Sequence, residues 1–380
     1  MNKALNLKGF EVELFTGLTT GEHFGVSDSA SQELENFVQE PDKRNIEYIT
    51  KPFVEYEILR EELIQPRRLI RKWLAERNLT LLPGSTLSLG DSEQFIRSDP
   101  FNSYHEFIEK TYGSKVVTTS IHINLGIEDL SSLFSAIRLV RCEAALFLAL
   151  SASSPFLDRH VTGAHSQRWL QFPLTPAIVP IFTDHSHYVK WVEQQLASGE
   201  MTNERHLWTS VRPNGKRRPY LLNRMELRIC DLITDFDLLL AITAFLELRV
   251  MSLWKNPDAL DPLVKSKLTI NELATLSNLN DYSVAQKSLD ASLSHWFDGK
   301  SILCRDWIAQ LLEEVKPMAI EMGIVEKLTP IDAVLKEGNQ AMRWIAAHSG
   351  GKSIPTIIQE GIKNMELEEL RSTKTKVIVN

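Results

Sequence analysis

The chain has 380 residues, 43% of them hydrophobic and 24% charged, with a formal net charge of −7. That composition belongs to a globular protein with room for one large domain or two ordinary ones. The acidic excess, with no basic block to offset it, argues against a dedicated nucleic-acid binder.

The longest apolar run, Ala144 to Ala152, is too short to cross a bilayer. The N-terminal residues lack the basic-then-apolar order of a signal peptide. Cys142, Cys230 and Cys304 are far apart and odd in number, so neither a disulfide framework nor a CxxC site is expected. A reducing cytoplasm is the simplest setting.

The first patterned stretch is Lys8-Gly9-Phe10-Glu11-Val12-Glu13-Leu14-Phe15. Read as a strand with period two, it puts Glu11 and Glu13 on one face and Phe10, Val12 and Leu14 on the other. Two carboxylates about 7 Å apart on one strand face repel. A cation belongs between or above them, and a hard divalent ion such as Mg2+ is the natural choice; a solvated acidic edge is the plainer alternative.

Thr16 to Gly25 reads as a turn. Ile46-Glu47-Tyr48-Ile49-Thr50 repeats the pattern, with Glu47 and Ile49 opposite Ile46 and Tyr48, and Pro52 ends it. A charged helix is expected over residues 54–77, kinked or broken at Pro66, with the basic run Arg67-Arg68 to Arg71-Lys72 on one face. Residues 79–99 read as loop, from Pro83-Gly84 and Gly90-Asp91.

The β-branched run Val116 to Leu125 predicts a strand with Ser120, His122 and Asn124 on one face and Ile121, Ile123 and Leu125 on the other. A buried helix follows over 127–151. Residues 153–180 are irregular and carry Arg159, His160, His165, Ser166 and Arg168; so long a loop is usually functional or disordered. Thr183 opens a helix that runs to Leu196 and ends at Gly199, and Lys216-Arg217-Arg218 reads as a loop tip.

Leu221 to Asp231 predicts a third polar-faced strand, with Arg224, Glu226 and Arg228 opposite Met225, Leu227 and Ile229. Beyond it, helices are expected over 232–255, 258–275, 282–297, 302–322, 330–348 and 355–370, with a frayed tail at 371–380. The chain thus reads as a single domain over 1–380, with a sheet-bearing part over 1–235 and a helical part over 236–370 packed on it.

Strand faces therefore offer Glu11, Glu13, Glu47, His122, Asn124, Arg224, Glu226 and Arg228. Carboxylates and a histidine suit divalent cations, and arginines suit phosphate oxygens. This is the chemistry of nucleoside-triphosphate use without a P-loop. The segment His348-Ser349-Gly350-Gly351-Lys352-Ser353 has Ala346 where a P-loop has its first glycine, and it follows no strand.

These residues resemble the glutamate–cysteine ligase family, in its bacterial carboxylate–amine ligase branch. Gly9-Phe10-Glu11-Val12-Glu13 resembles the family's opening G-x-E-x-E strand, and Ile46 to Thr50 its second acidic strand, E-x-x-T. Ser120 to Asn124 is similar to its histidine strand, and Leu148 to Phe156 to its L-x-A-L-S-A-x-S-P helix end. Trp208, Val211-Arg212-Pro213 and Met225 to Asp231 are similar to its W-x-x-R-P…E-x-R-x-x-D signature. The resemblance spans residues 8–235 in the family's order and is greatest to the cyanobacterial-type members.

The resemblance implies an α+β, glutamine-synthetase-like fold: a curved, mainly antiparallel sheet with the active site on its concave face and helices outside. It implies ATP, two or three Mg2+ ions, glutamate and cysteine, and the first step of glutathione synthesis. Glu11, Glu13, Glu47, His122 and Glu226 would be metal ligands, with a further acid, Glu40 or Asp42, left open. Arg228 would stabilise the transferring phosphoryl group. Arg212 would hold nucleotide phosphate or brace its strand. Thr50, Asn124, Ser166 and Arg168 would face substrate, Arg168 as the guanidinium for the α-carboxylate of glutamate. Alternatives are a ligase with another amine acceptor, a phosphagen-kinase-like phosphotransferase and a non-catalytic nucleotide-binding relative.

Overall fold

The computed structural model describes residues 5–371; the expected frayed tail lies outside them from residue 372 on. Seven strands form one sheet: β1 (Lys8–Leu18), β2 (Phe37–Gln39), β3 (Asn45–Ile49), β4 (Leu79–Leu82), β5 (Ile121–Gly126), β6 (Val211–Asn214) and β7 (Arg224–Leu227). Their order is β2-β3-β1-β5-β7-β6, and β4 pairs with the far half of β1. Every pairing is antiparallel. The α+β architecture expected from the sequence is borne out.

The period-two pattern decides which face is which. Phe10, Val12 and Leu14 of β1, Tyr48 of β3, Ile121 and Ile123 of β5 and Met225 and Leu227 of β7 are all buried in one cluster. They pack against α1 (Tyr56–Ala75), which precedes the short α2 (Ser103–Tyr112), and against α3 (Leu130–Ser151). Further on come α4 (Gln167–Gln171), α5 (Phe236–Lys255), α6 (Ile270–Lys287), α7 (Cys304–Glu321) and α8 (Ile354–Leu370). Helices α3 and α5 are apolar on nearly every side and form the middle of the core. Each fully buried leucine or isoleucine there contributes about 1.5–3 kcal/mol. With the apolar face sealed by helices, the polar face is left for chemistry.

Several expectations change in the structure. Pro66 does not break α1, which runs unbroken from Tyr56 to Ala75 because buried Leu59, Leu63, Ile64, Ile70 and Leu74 hold both halves to the core. Residues 79–82 are a buried strand rather than loop, paired with the end of β1. The β5 run is shorter than the sequence pattern, since residues 113–116 form a 3-10 turn. No helix spans 282–297: α6 ends at Lys287, Ser288 adopts a left-handed φ of 40°, and Ser292–Ser294 pairs with Ser301–Leu303.

The basic run of α1 is a clamp rather than a solvated face. Arg67 Nε lies 3.1 Å from Glu369 Oε1, its Nη1 donates to the Thr234 carbonyl at 3.0 Å, and Arg71 Nη2 donates to Glu369 Oε1 at 2.9 Å. Glu369 is buried at the end of α8, so α8 is tied to α1 across most of the chain length. Removing one partner of such a pair strands the other charge away from water. Glu369→Ala is expected to lower the unfolding free energy by about 3–5 kcal/mol in urea titrations; a loss below about 1 kcal/mol would show that the clamp carries no stability.

Candidate active site

The antiparallel register places the predicted groups side by side. Glu11 of β1 stands opposite His122 of β5, and Glu13 stands opposite Glu47 of β3. Glu226 of β7 stands opposite both Asn124 of β5 and Arg212 of β6. One carboxylate oxygen or ring nitrogen from each of Glu11, Glu47 and His122 falls within 4.8 Å of the others, and so does one from each of Glu13, Glu40 and Glu47. Glu47 belongs to both sets.

Glu40 is the acid that the sequence left undecided. In the β2–β3 pairing Val38 stands opposite Glu47, and Glu40, two residues on, keeps that parity and turns to the same face. Asp42 is spent elsewhere: Arg44 Nε and Nη2 each donate to it at 2.8 Å in a buried pair. The signal for Glu40 was the hairpin itself, hidden because three residues of β2 carry little pattern.

Acids this close penalise one another. Burial, then the Glu13 charge, pushes the Glu40 carboxyl up to about 8, and burial, then the Glu40 charge, raises Glu47 well above the usual carboxylate range. Burial and the Glu226 charge push Glu11 up as well, but its hydrogen bond to His122 and the charges of His122 and Arg228 outweigh them, leaving it below its usual range. An all-oxygen set of three crowded carboxylates, plus one set that adds an imidazole, is a donor array suited to hard divalent cations.

The histidine is oriented for that task. Ser120 Oγ donates to Glu13 Oε2 at 2.7 Å, which commits its one hydrogen, so it must accept from His122 Nε2 at 3.0 Å. The other nitrogen, Nδ1, faces the carboxylates, 3.1 Å from Glu11 Oε2 and 3.6 Å from Glu226 Oε1.

Glu226 sits at the edge of this array with its oxygens engaged. Arg212 Nε and Nη2 donate to it at 2.8 and 3.1 Å, Asn214 Nδ2 at 2.7 Å, and Arg228 Nη1 also pairs with it. Although burial raises it, the Arg212 and Arg228 charges hold its carboxyl far below the usual range. Arg212 spends its remaining contacts on the Arg205 and Leu207 carbonyls and braces β6, the second of the two roles expected for it. Arg228, one residue past β7, touches Glu226 and His122 only through Nη1 among the described residues, and it lines a cavity.

Two cavities meet at the carboxylates. The first, about 500 Å³, is lined by Glu13, Glu47, His122, Arg168, Arg205 and Arg228 among others. The second, about 680 Å³, is lined by Glu11, Ile49, Thr50, Asn124, Arg224 and Trp254 among others. Residues expected together at the substrate therefore divide. Arg168 faces the first cavity, whereas Thr50 and Asn124 face the second.

Thr50 Oγ1 accepts from the Phe10 amide at 2.9 Å, and Asn124 bridges Glu11 and Arg224 at 3.1 Å each. Arg168 donates to the Ile229 and Arg228 carbonyls at 3.0 and 3.1 Å, and its Nε is buried without a partner. Ser166 is fully buried, donates to Asp231 at 2.8 Å and caps α4.

A model of glutamate-cysteine ligase family 2 (GCS2) matches residues 8–371. The chain belongs to this family. The ligase class expected from the strands is borne out. A protein of Sorangium cellulosum named "Putative glutamate--cysteine ligase 2" is 27% identical over 251 residues, or 65% of this chain and 64% of that protein. One of the same name from Leifsonia xyli is 26% identical over 268 residues, 69% of this chain and 68% of that protein. The aligned part thus spans about two thirds of each relative.

Among solved structures, glutamate–cysteine ligase of Francisella tularensis in complex with AMP superposes with a TM-score of 0.79 at 14% identity, over 98% of this chain and 90% of that one. A bifunctional glutathione synthetase from Pasteurella multocida gives 0.73 at 15%, over 96% of this chain and 52% of that one. At these identities the likeness is one of fold. Among the described residues, no helix is long and apolar enough to cross a membrane.

The Glu40 shift gives a stability test with a definite sign. Between its ordinary value of 4.5 and about 8 the folded, metal-free protein keeps a proton that the unfolded chain has released. The folded state binds more protons in that window, so unfolding free energy falls as pH rises across it. Urea midpoints in EDTA should decline from pH 5 to pH 8, and Glu40→Gln should flatten that slope; an unaltered slope in the variant would show that Glu40 does not titrate there.

Proposed function

We propose that the protein joins the γ-carboxylate of glutamate to the amine of cysteine at the expense of ATP. The observation that carries this reading is the shared wall: Glu13, Glu47 and His122 border one cavity, and Glu11 and Asn124 border the other. In this reading the nucleotide occupies the cavity of Thr50, Asn124, Arg224 and Trp254, and the amino acids occupy the cavity of Arg168, Arg205 and Arg228. Phosphoryl transfer then runs across the wall of acids.

Glu13, Glu40 and Glu47 would hold one Mg2+, and Glu11, Glu47 and His122 another, with Glu226 closing the second set from beside His122. The ions, when bound, neutralise charge between nucleotide phosphates and the attacking carboxylate. A γ-carboxylate oxygen of glutamate attacks the terminal phosphorus, and ADP leaves with the bond's electron pair. Arg228 faces this transfer with fixed positive charge, held by Glu226 rather than by solvent.

Arg168 anchors the glutamate end of the cavity. Its contacts to the Arg228 and Ile229 carbonyls fix the backbone that carries Arg228. Residues 8–371 act in this reading as one ligase unit, and buried thiols at Cys142, Cys230 and Cys304 fit a reducing, cytoplasmic setting.

ADP release in the presence of Mg2+ should require both glutamate and cysteine, with γ-glutamylcysteine accumulating in step. Glu11→Gln and Glu226→Gln should each lower that rate by about 100-fold or more. Full turnover by either variant would sink the metal assignment, and ADP release indifferent to cysteine would point to a different amine acceptor.

A further inference from the structure

Amide formation from an ammonium group leaves two protons to dispose of. An α-amino group has a pKa of about 8 and is mostly ammonium at neutral pH. As the nitrogen attacks the acyl carbon, the N–C bond forms and the C–O bond to phosphate breaks. Phosphate leaves with that electron pair and carries off the proton that the attacking nitrogen sheds, so the first ammonium proton still needs an acceptor. The acids of the wall are committed to cations, and both ring nitrogens of His122 are engaged within it. His206 is closed off by Tyr112 Oη, 2.6 Å from its Nε2.

His105 is placed differently. It lies in the first turn of α2, whose Asn102 cap accepts from the Tyr104 and His105 amides, and it lines the first cavity. Ser98 Oγ donates to the Glu40 carbonyl at 2.5 Å, so its hydrogen is spent. Its contact with His105 Nδ1 at 3.2 Å must therefore be made by the ring N–H. That tautomer leaves Nε2 bare. Nε2 has no hydrogen-bond partner among the described residues and is not sealed off, and the residue that carries it lines the cavity.

Apolar lining accompanies it, from Ile108 one turn along α2 and from Phe95, Val116 and Val117, and this is a surface for a thiol side chain rather than a second carboxylate. The charged groups nearest the ring are Arg97 and Asp99 on the preceding loop; Glu40 and Arg205 border the same cavity. Burial, reinforced by Arg97 and opposed by Asp99, keeps the imidazole below its usual range, hence neutral at neutral pH.

We propose that His105 is the acceptor-side base, taking the ammonium proton of the incoming amino group onto Nε2 and so freeing the nitrogen lone pair that bonds to the γ-acyl carbon. The assignment rests on the ligase reading above and goes beyond it by naming the group that serves only the second step.

The test compares two acceptors in the full-length protein with ATP, Mg2+ and glutamate. Cysteine needs a base. Hydroxylamine is already neutral near pH 7 and captures the activated γ-carboxyl as a hydroxamate without one. In His105→Gln, kcat with cysteine is expected to fall about 100-fold, while hydroxamate formation falls less by at least about tenfold. The low-pH limb of kcat with cysteine, present in the unaltered protein, should disappear in the variant. Equal losses with both acceptors, or no loss with cysteine, would overturn the assignment. Absence of hydroxamate from the unaltered protein would overturn the ligase reading and this one with it.

Discussion

Everything at the site depends on the register of β1 between β3 and β5. An antiparallel pair fixes which side chains stand opposite, and a slip of one residue would exchange the two faces completely. Here the register sets Glu13 against Glu47 and Glu11 against His122 while Phe10, Val12 and Leu14 go to the core. Like charges directly opposite destabilise a sheet. The apolar face is what holds them there: the burial of about a dozen large side chains against α1, α3 and α5 outweighs the repulsion of a few acids. Folding thus assembles a site whose carboxylates repel one another.

The basic side of the site is managed in the opposite way. Glu226 is buried among Arg212, Arg228 and Asn214, so each guanidinium is neutralised and held in direction before any phosphate enters. Arg212 has its donors spent on Glu226 and on the Arg205 and Leu207 carbonyls ahead of its strand. Arg228 keeps only one terminal nitrogen engaged and can present the rest of its fork. Two arginines that share one carboxylate, Arg212 across the strand pair and Arg228 two residues along, thus differ in which carbonyls each can reach.

Most of this was legible in the sequence wherever period-two alternation was strong. β1, β3, β5 and β7 declared their polar faces, and Glu11, Glu13, Glu47, His122 and Arg228 meet at one place. What escaped had short or ambiguous pattern. β2 has three residues and β4 four, too few for periodicity to speak, and with β2 went the placement of Glu40. The 282–297 error had the same origin: a turn at Ser288 and two three-residue strands look like the continuation of a polar helix. The cap that Ser166 supplies to α4 did not show in the sequence, because a buried capping serine and an exposed one are the same letter.

The irregular stretch that follows α3, residues 153–180, shows how a segment with little regular structure can still position chemistry. Asp231, fully buried beyond β7, accepts from the Ser153 amide at 2.9 Å, from Ser154 Oγ at 2.7 Å and from Ser166 Oγ at 2.8 Å. Those three serines belong to the end of α3 and the start of α4, so one carboxylate ties both to the end of β7. Arg168, in the first turn of α4, is 3.8 Å from the same Asp231 and donates to the Arg228 carbonyl. The path from the helix end to the arginine facing the proposed phosphoryl transfer is thus a chain of short polar contacts in a water-poor interior, where each is strong and an unmatched one is costly. Serines in that turn place Asp231, which places Arg168, which holds the backbone of Arg228.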